Sequence, residues 1–145
     1  MKKLKVEKVD HIHIYVNDLQ KAVEFFSDVL GTKFGATIRD EKTFGLKSAI
    51  DPLGLELIEG IGPQSPICRH VAKKGEGLAA ISFKVANLDE AVEVLQSKGL
   101  TLVGRIKLGH IREAQFHPRD AHGVMIELAE YEEEHGASRA ALGKD

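Results

Sequence analysis

The chain contains two copies of one sequence pattern, and this repeat limits the folds that it can adopt. At an offset of 69 positions, residues 11–24 (HIHIYVNDLQKAVE) align with residues 80–93 (AISFKVANLDEAVE) and share six identities. At an offset of 71 positions, residues 55–59 (LELIE) align with residues 126–130 (IELAE). Because both matches occur in the same order at nearly the same offset, we predict two similar modules in one chain.

Hydrophobic periodicity predicts the element order βαβββ within each module. Alternating residues 11–16 and 80–85 indicate strands, and each is followed by apolar residues at helical spacing. In the first module these helical positions are Leu19, Ala22, Val23, Phe26 and Leu30, and in the second they are Leu88, Ala91, Val92 and Leu95. Further strands are expected near 33–39, 44–51 and 54–59, and near 101–106, 111–116 and 124–130. We therefore predict an α+β fold in which two βαβββ modules form a curved mixed sheet around a cleft.

The domain organisation follows from the same repeat. At 145 residues the chain fits a single domain. Within it we expect module one at 8–60, a linker with a helix at 61–76, module two at 77–130 and a polar tail at 131–145. The linker helix is expected to begin at Ser65-Pro66, since proline is tolerated in a first helical turn.

Polar side chains interrupt the apolar strands on one face of the predicted sheet. If Ile12, Ile14 and Val16 pack beneath the helix, then His11, His13 and Tyr15 point to the opposite side. Glu56 and Glu127 stand at equivalent positions of the repeat and point the same way. A lone strand histidine is more often a hydrogen-bonded or solvated side chain than a ligand, and a lone strand glutamate is usually a surface residue. The paired positions favour one shared site near a pseudo-twofold axis, since buried acids are costly unless paired or metal-bound.

Composition excludes several classes of function. The net charge of −2 gives no basic field for nucleic acid or an anionic membrane surface. No apolar stretch approaches the roughly 20 residues that a membrane span needs. The single cysteine, Cys68, cannot form an internal disulfide, which is consistent with the cytoplasm as the expected location.

Three segments resemble the vicinal oxygen chelate (glyoxalase/bleomycin resistance/dioxygenase) superfamily, and within it most of all the methylmalonyl-CoA epimerases. The segments are Val9-Asp10-His11-Ile12, the linker that begins with Ser65-Pro66-Ile67, and the hairpin that contains Phe116-His117-Pro118 and Gly123-Val124-Met125-Ile126-Glu127. The resemblance covers about residues 9 to 130. It implies a glyoxalase-like fold, a small-molecule ligand such as an acyl-CoA, a homodimer and no organic cofactor.

The resemblance also implies a metal site from which one ligand is missing. The metal-binding positions of the family fall on His11, Glu56, Ala80 and Glu127, and alanine cannot bind an ion. A third-strand acid, one of two proton-transfer bases in bacterial epimerases, falls on Ser48. By this resemblance His11, Glu56 and Glu127 would be metal ligands, and Glu127 would also carry a proton. A divalent ion (Co, Mn, Ni, Mg or Zn) is expected to bind more weakly without the fifth-strand histidine.

His13 lies two residues from His11 and therefore on the same face of the strand. We expect it either to take the place left at Ala80 as a ligand, or to line the cleft as a hydrogen-bonding residue. Ser48, Ala80 and Gln115 are the other predicted cleft-lining residues. Two buried carboxylates that face each other without a metal would raise the pKa of one of them.

Three functions are consistent with these residues. The first is metal-assisted proton transfer next to a carbonyl of an acyl-CoA or a small oxyacid. The second is metal-free binding of a small molecule, as in bleomycin-resistance proteins. The third is a glyoxalase-type lyase. The retained His/Glu/Glu set favours an isomerase or lyase, while the loss of the histidine at position 80 keeps the binding protein open.

Overall fold

The computed structural model of the protein describes residues 3–132. Helices span α1 (Leu19–Leu30), α2 (Pro66–Lys74) and α3 (Leu88–Ser97), and a short 3-10 turn covers Pro118–Asp120. Strands span β1 (Val6–Tyr15), β2 (Ile38–Asp40), β3 (Leu46–Ile50), β4 (Leu55–Gly60), β5 (Gly77–Val85), β6 (Leu102–Leu108), β7 (Ile111–Phe116) and β8 (Met125–Glu130).

All eight of these strands form one curled mixed sheet in the order β2-β3-β4-β1-β5-β8-β7-β6. At its centre β1 runs antiparallel to β5. On the outer side of this pair, β1 lies parallel to β4 and β5 lies parallel to β8, the last strand of the respective module. The strand order of the second half reverses that of the first. The two modules are thus related by a pseudo-twofold axis between β1 and β5, and the predicted α+β fold of paired βαβββ modules is confirmed.

The two long helices cover the convex side of the sheet. Helix α1 begins after Asp18, whose side chain accepts a hydrogen bond from the Lys21 amide at 3.1 Å, and it ends at Gly31 with φ +64°. Its apolar side packs against buried Leu57. Helix α3 begins after Asn87, which caps the Glu90 amide at 3.0 Å. Its residues Leu88, Ala91, Val92 and Leu95 pack into a buried cluster with Phe116 and Leu128 of the sheet. These contacts confirm the predicted helix positions except Leu30, which is 49% exposed.

Helix α2 lies at one end of the concave side. Ser65 caps it by accepting hydrogen bonds from the amides of Ile67 and Cys68, as predicted for Ser65-Pro66. Ile67 packs against Tyr15 and Ile58, which lie on the concave face of the sheet. The linker therefore closes part of the cleft as well as joining the two modules.

The structure differs from the predicted strand limits at two places. β1 begins at Val6, five residues before the alternating run that predicted it. The strand expected near 33–39 is reduced to Ile38–Asp40, because Phe34 packs into the core beneath α1 and does not extend the ladder.

The end of module two also differs from the prediction. Tyr131, the first residue of the predicted polar tail, is buried and packs against Ile111. Residues 133–145 of the predicted tail lie outside the described residues. Between residues 3 and 132, no helix is long and apolar enough to cross a membrane.

Candidate functional site

The concave face of the sheet encloses a cavity of about 310 Å³. The alternation of β1 places His11, His13 and Tyr15 in its wall, while Ile14 packs beneath α1 on the other side. Most of the wall is apolar, with residues contributed by both modules. These apolar residues are Ile38, Phe44, Leu46, Ile50, Ile58, Pro66, Ile67, Ile106, Leu108, Ile111 and Met125. Among the described lining residues none is Lys or Arg, so the polar part of the cavity consists of histidines, acids and a few neutral groups.

Two imidazoles and two carboxylates converge at the centre of the cavity. Nε2 of His11 lies 3.1 Å from Nε2 of His13. Oε1 of Glu127 lies 3.3 Å from Nε2 of His11 and 3.6 Å from Nε2 of His13. Oε1 of Glu56 lies 3.7 and 3.3 Å from the same two nitrogens. Four groups from three strands therefore direct polar atoms to one small volume.

The donor set fits a divalent metal ion. His11, His13 and Glu127 form a buried group whose ligand atoms all lie within 4.8 Å of one another. An ion with bonds of about 2.0–2.1 Å holds neighbouring ligand atoms roughly 3.0–3.5 Å apart, close to the spacings found here. Oε1 of Glu127 is buried without a hydrogen-bond partner among residues 3–132. Since such an atom is costly to bury, a bound cation would explain its position.

His11 is oriented by a buried acid behind it. Nδ1 of His11 lies 2.7 Å from Oδ2 of Asp10, and the hydroxyl of Tyr131 donates a hydrogen bond to Oδ1 of Asp10. This arrangement directs Nε2 of His11 into the cavity and makes that nitrogen a better ligand. Burial alone would lower the pKa of His11. The bond to Asp10 and the charge of Glu127 outweigh burial and raise the pKa of His11 well above its ordinary value.

Glu127 is held in place from β7. Nε2 of Gln115 donates a 2.8 Å hydrogen bond to Oε2 of Glu127, which leaves Oε1 facing the histidines. Burial alone would raise the pKa of Glu127. The positive charges of His13 and His11 outweigh burial, so the pKa of Glu127 lies well below its ordinary value. The side chain is 1% exposed, and a bound cation would take the place of the imidazolium protons in offsetting the charge of this buried carboxylate.

A third carboxyl group, Glu113 on β7, lines the cavity and is 8% exposed. Its burial, followed by the negative charge of Glu127, raises the pKa of Glu113 well above its ordinary value. The acid with the raised pKa is therefore Glu113. The predicted rise in the pKa of one buried acid therefore falls on a residue that was not predicted to belong to the site, while the pKa of Glu127 is lowered.

The structure brings together most of the predicted site residues. His11, Glu56 and Glu127, the predicted ligands, meet in the cavity, and His13 joins them. Ser48 and Gln115 line the cavity wall as predicted cleft residues. Ala80 differs, because it is fully buried and is not among the lining residues. Its register partner on β1 is His13, whose imidazole faces the cavity at that point.

Three residues around the site were not assigned a role from sequence. Asp10 belongs to the segment Val9-Asp10-His11-Ile12, but its contact with the His11 ring depends on the side-chain conformation, which the sequence does not indicate. Glu113 lies two positions before Gln115 on the same face of β7, and this alternation was the signal that could have identified it. Tyr131 reaches Asp10 across 121 positions of sequence, a contact that no local pattern indicates.

Comparison with known proteins identifies the family of this chain. The sequence profile described as "Glyoxalase/Bleomycin resistance protein/Dioxygenase superfamily" matches residues 8–128. The uncharacterized protein YqjC of Bacillus subtilis is 31% identical over 130 residues, which cover 86% of this chain and 93% of that protein. The mitochondrial methylmalonyl-CoA epimerase of Mus musculus is 32% identical over 131 residues, which cover 86% of this chain and 73% of the mouse protein.

A solved structure extends the similarity to three dimensions. A variant of the methylmalonyl-CoA epimerase of Streptomyces coelicolor, in complex with 2-nitronate-propionyl-CoA, aligns with a TM-score of 0.80 and 27% identity. The alignment covers 91% of this chain and 99% of the Streptomyces chain. The profile match, the curated relatives and the shared fold together show that this chain belongs to the glyoxalase/bleomycin resistance protein/dioxygenase superfamily.

Proposed function

We propose that this chain is a metal-dependent isomerase that moves a proton at the carbon next to the carbonyl group of an acyl-CoA thioester. The observation that supports this most strongly is the buried Oε1 of Glu127. Within residues 3–132 it has no hydrogen-bond partner, and it faces Nε2 of both His11 and His13. The relatives described as methylmalonyl-CoA epimerases make a thioester the favoured class of substrate.

His11, His13 and Glu127 are the residues that would hold the ion, and Glu56 contacts the two histidines from the more open side. When bound, a divalent ion supplies Lewis acidity that makes a C–H bond next to a carbonyl group easier to ionise. His13 thereby takes the place of the fifth-strand histidine that the family resemblance locates at Ala80.

The remaining residues of the site position these ligands and exclude water. Asp10 fixes the ring of His11, and Gln115 fixes the carboxylate of Glu127. The apolar wall keeps the reacting group out of bulk water, which strengthens the electrostatic interactions inside. Glu127 is assigned as a ligand, and its role as a proton carrier stays a prediction from the family resemblance.

The size of the cavity indicates which part of a substrate it holds. About 310 Å³ is near the lower end for small-molecule pockets. We therefore place the acyl group inside the cavity and the larger nucleotide part of a CoA thioester outside it. A homodimer stays a prediction as well, which light scattering on the purified protein will check.

Proton exchange in deuterated water tests the proposal. The protein is stripped of metal, reloaded with Co²⁺ and incubated with methylmalonyl-CoA, and deuterium at the α-carbon is followed by mass spectrometry. We expect exchange with the loaded protein and a loss of at least about 100-fold in the stripped protein. Wherever a histidine of the site is replaced in the experiments below, the matched control is His122→Gln, at a turn outside the lining residues of the cavity.

Two results would contradict the proposal. If the protein retains no ion and methylmalonyl-CoA shows no exchange, the metal-free binding protein becomes the better description. If the stripped protein exchanges the α-proton as fast as the loaded one, then the site works without the metal on which the proposal depends.

A further inference from the structure

Glu113 is a buried acid that the metal site does not use. It lies on β7, it is 8% exposed and it lines the cavity. The three buried residues grouped as potential ligands are His11, His13 and Glu127, without Glu113. A carboxyl group placed this deeply costs free energy, and no Lys or Arg is among the described residues that line the cavity to offset that cost. Its presence therefore calls for a functional explanation.

The strand register gives Glu113 a counterpart in the other module. On β3 and β4, Ser48 pairs with Ile58, two positions after Glu56. On β7 and β8, Glu113 pairs with Ala129, two positions after Glu127. Since Glu56 and Glu127 are equivalent in the repeat, Ser48 and Glu113 are equivalent too. One module thus has a hydroxyl and the other a carboxyl at the same place in the cavity wall.

The strand order separates two of the acids that line the cavity. Glu113 stands on β7 and Glu56 on β4, and the strands β1, β5 and β8 lie between them in the curled sheet. Inverting the configuration at a carbon next to a carbonyl requires removing the proton from one face and adding one to the other. Two proton carriers on opposite walls satisfy this requirement, whereas two on one wall do not.

We propose that Glu113 is a catalytic acid/base of this site, acting from the β7 wall while Glu56 acts from the β4 wall. This inference depends on the proposed isomerase function. In one direction Glu56 takes the α-proton, and the C–H electron pair is delocalised into the carbonyl as an enolate. The carboxylic acid of Glu113 then gives its proton to the opposite face of the same carbon. In the other direction the roles are exchanged, and proton exchange with water restores both groups.

The two enantiomers of methylmalonyl-CoA distinguish this role from a structural one. Glu113→Gln keeps the size of the side chain but cannot transfer a proton. The matched control is Glu93→Gln, on the exposed side of α3. In deuterated water, we expect Glu113→Gln to incorporate deuterium at the α-carbon of one enantiomer at close to the wild-type rate. The rate of incorporation into the other enantiomer and the rate of interconversion should both fall about 100-fold or more. Co²⁺ retention should equal that of the wild-type protein.

The possible failures can be told apart. If the wild-type protein exchanges no α-proton, the proposed function fails and this inference fails with it. If the wild-type protein exchanges and Glu113→Gln still interconverts the enantiomers at the wild-type rate, only the inference is overturned. Equal losses for both enantiomers together with lost Co²⁺ retention would show that Glu113 supports the metal site, which also overturns it.

Discussion

His13 on β1 is the direct register partner of Ala80 on β5. The family resemblance locates a metal-binding histidine at position 80, where this chain has a methyl group. The imidazole of His13 instead approaches from the neighbouring strand, with its Nε2 3.1 Å from Nε2 of His11 and 3.6 Å from Oε1 of Glu127. A second imidazole is thus supplied to the same site from the other side of the β1–β5 pair.

The first prediction concerns the replacement of His13. His13→Ala should lower the affinity for Co²⁺ by at least about 100-fold, because it removes one of three buried ligands. Isothermal titration calorimetry on metal-stripped protein measures the change, with His122→Gln as the control. An unchanged Kd would show that His13 lines the cavity without binding the ion.

The second prediction concerns the exchange of the two positions. Adding Ala80→His to His13→Ala should recover at least about 10-fold of the lost affinity, because the imidazole returns from the partner strand to the same site. The recovery is measured as the Co²⁺ Kd of the double variant against His13→Ala alone. Ala80→His in the presence of His13 is the crowding control, since position 80 is fully buried. A double variant no better than His13→Ala would refute the equivalence of the two positions.

The third prediction concerns the acid behind His11. Asp10→Asn should weaken Co²⁺ binding by about 10–100-fold without removing any ligand, because the ring of His11 loses its carboxylate partner. Tyr131→Phe should have a smaller effect in the same direction, since it removes the hydrogen bond to Asp10 but leaves the carboxylate of Asp10 beside His11. The Kd values of the two variants are compared with that of wild type, and an order of effects opposite to this one would contradict the arrangement.

The fourth prediction concerns pH and the metal-free protein. The pKa of Glu113 is raised well above its ordinary value of 4.5, so the folded state binds that proton more tightly than the unfolded state. The raised pKa of His11 acts in the same direction. It contributes stability that is fully present below about pH 6.5 and is lost as the pH rises through the folded-state pKa of His11. The lowered pKa of Glu127 has the opposite effect, but only below about 4.5. The free energy of unfolding should therefore increase as the pH falls from about 8 to about 5, a range that stays above the ordinary pKa of both carboxyl groups.

Urea denaturation at the two pH values measures this change, and Glu113→Gln serves as the comparison. The variant should show a smaller increase than wild type, because one of the proton-binding groups is gone. With saturating Co²⁺ the trend should reverse, since protons compete with the ion for the histidines. Identical pH trends for wild type and variant would argue against the raised pKa of Glu113.

The sequence was sufficient to predict the fold and which side chains meet at the centre of the cavity. The repeat defined the modules, and the period of two along β1 separated His11 and His13 from the core-facing Ile14. Equivalent positions of the repeat linked Glu56 with Glu127. These relations depend on local periodicity and on the alignment of two segments, both of which are visible in the chain itself.

Other parts of the site depend on tertiary contacts and could not be predicted. Tyr131 reaches Asp10 only because the end of β8 lies near the start of β1 in the folded sheet. Placing Glu113 in the cavity required knowing which residues of β7 face inward, and a shift of one residue in the predicted strand reverses that assignment. Phe34 lies in a segment predicted to be a strand, but it packs beneath α1, and the strand is shortened to Ile38–Asp40.

The most direct test of the metal site is the number of ions bound per chain. Native mass spectrometry is performed on wild-type protein incubated separately with Co²⁺, Mn²⁺ and Ni²⁺ and then desalted. The site made by His11, His13 and Glu127 predicts about one retained ion per chain for at least one of these metals, and none in the double variant His11→Ala/His13→Ala. No retained ion in wild type, or an ion retained equally by the double variant, would contradict the central claim.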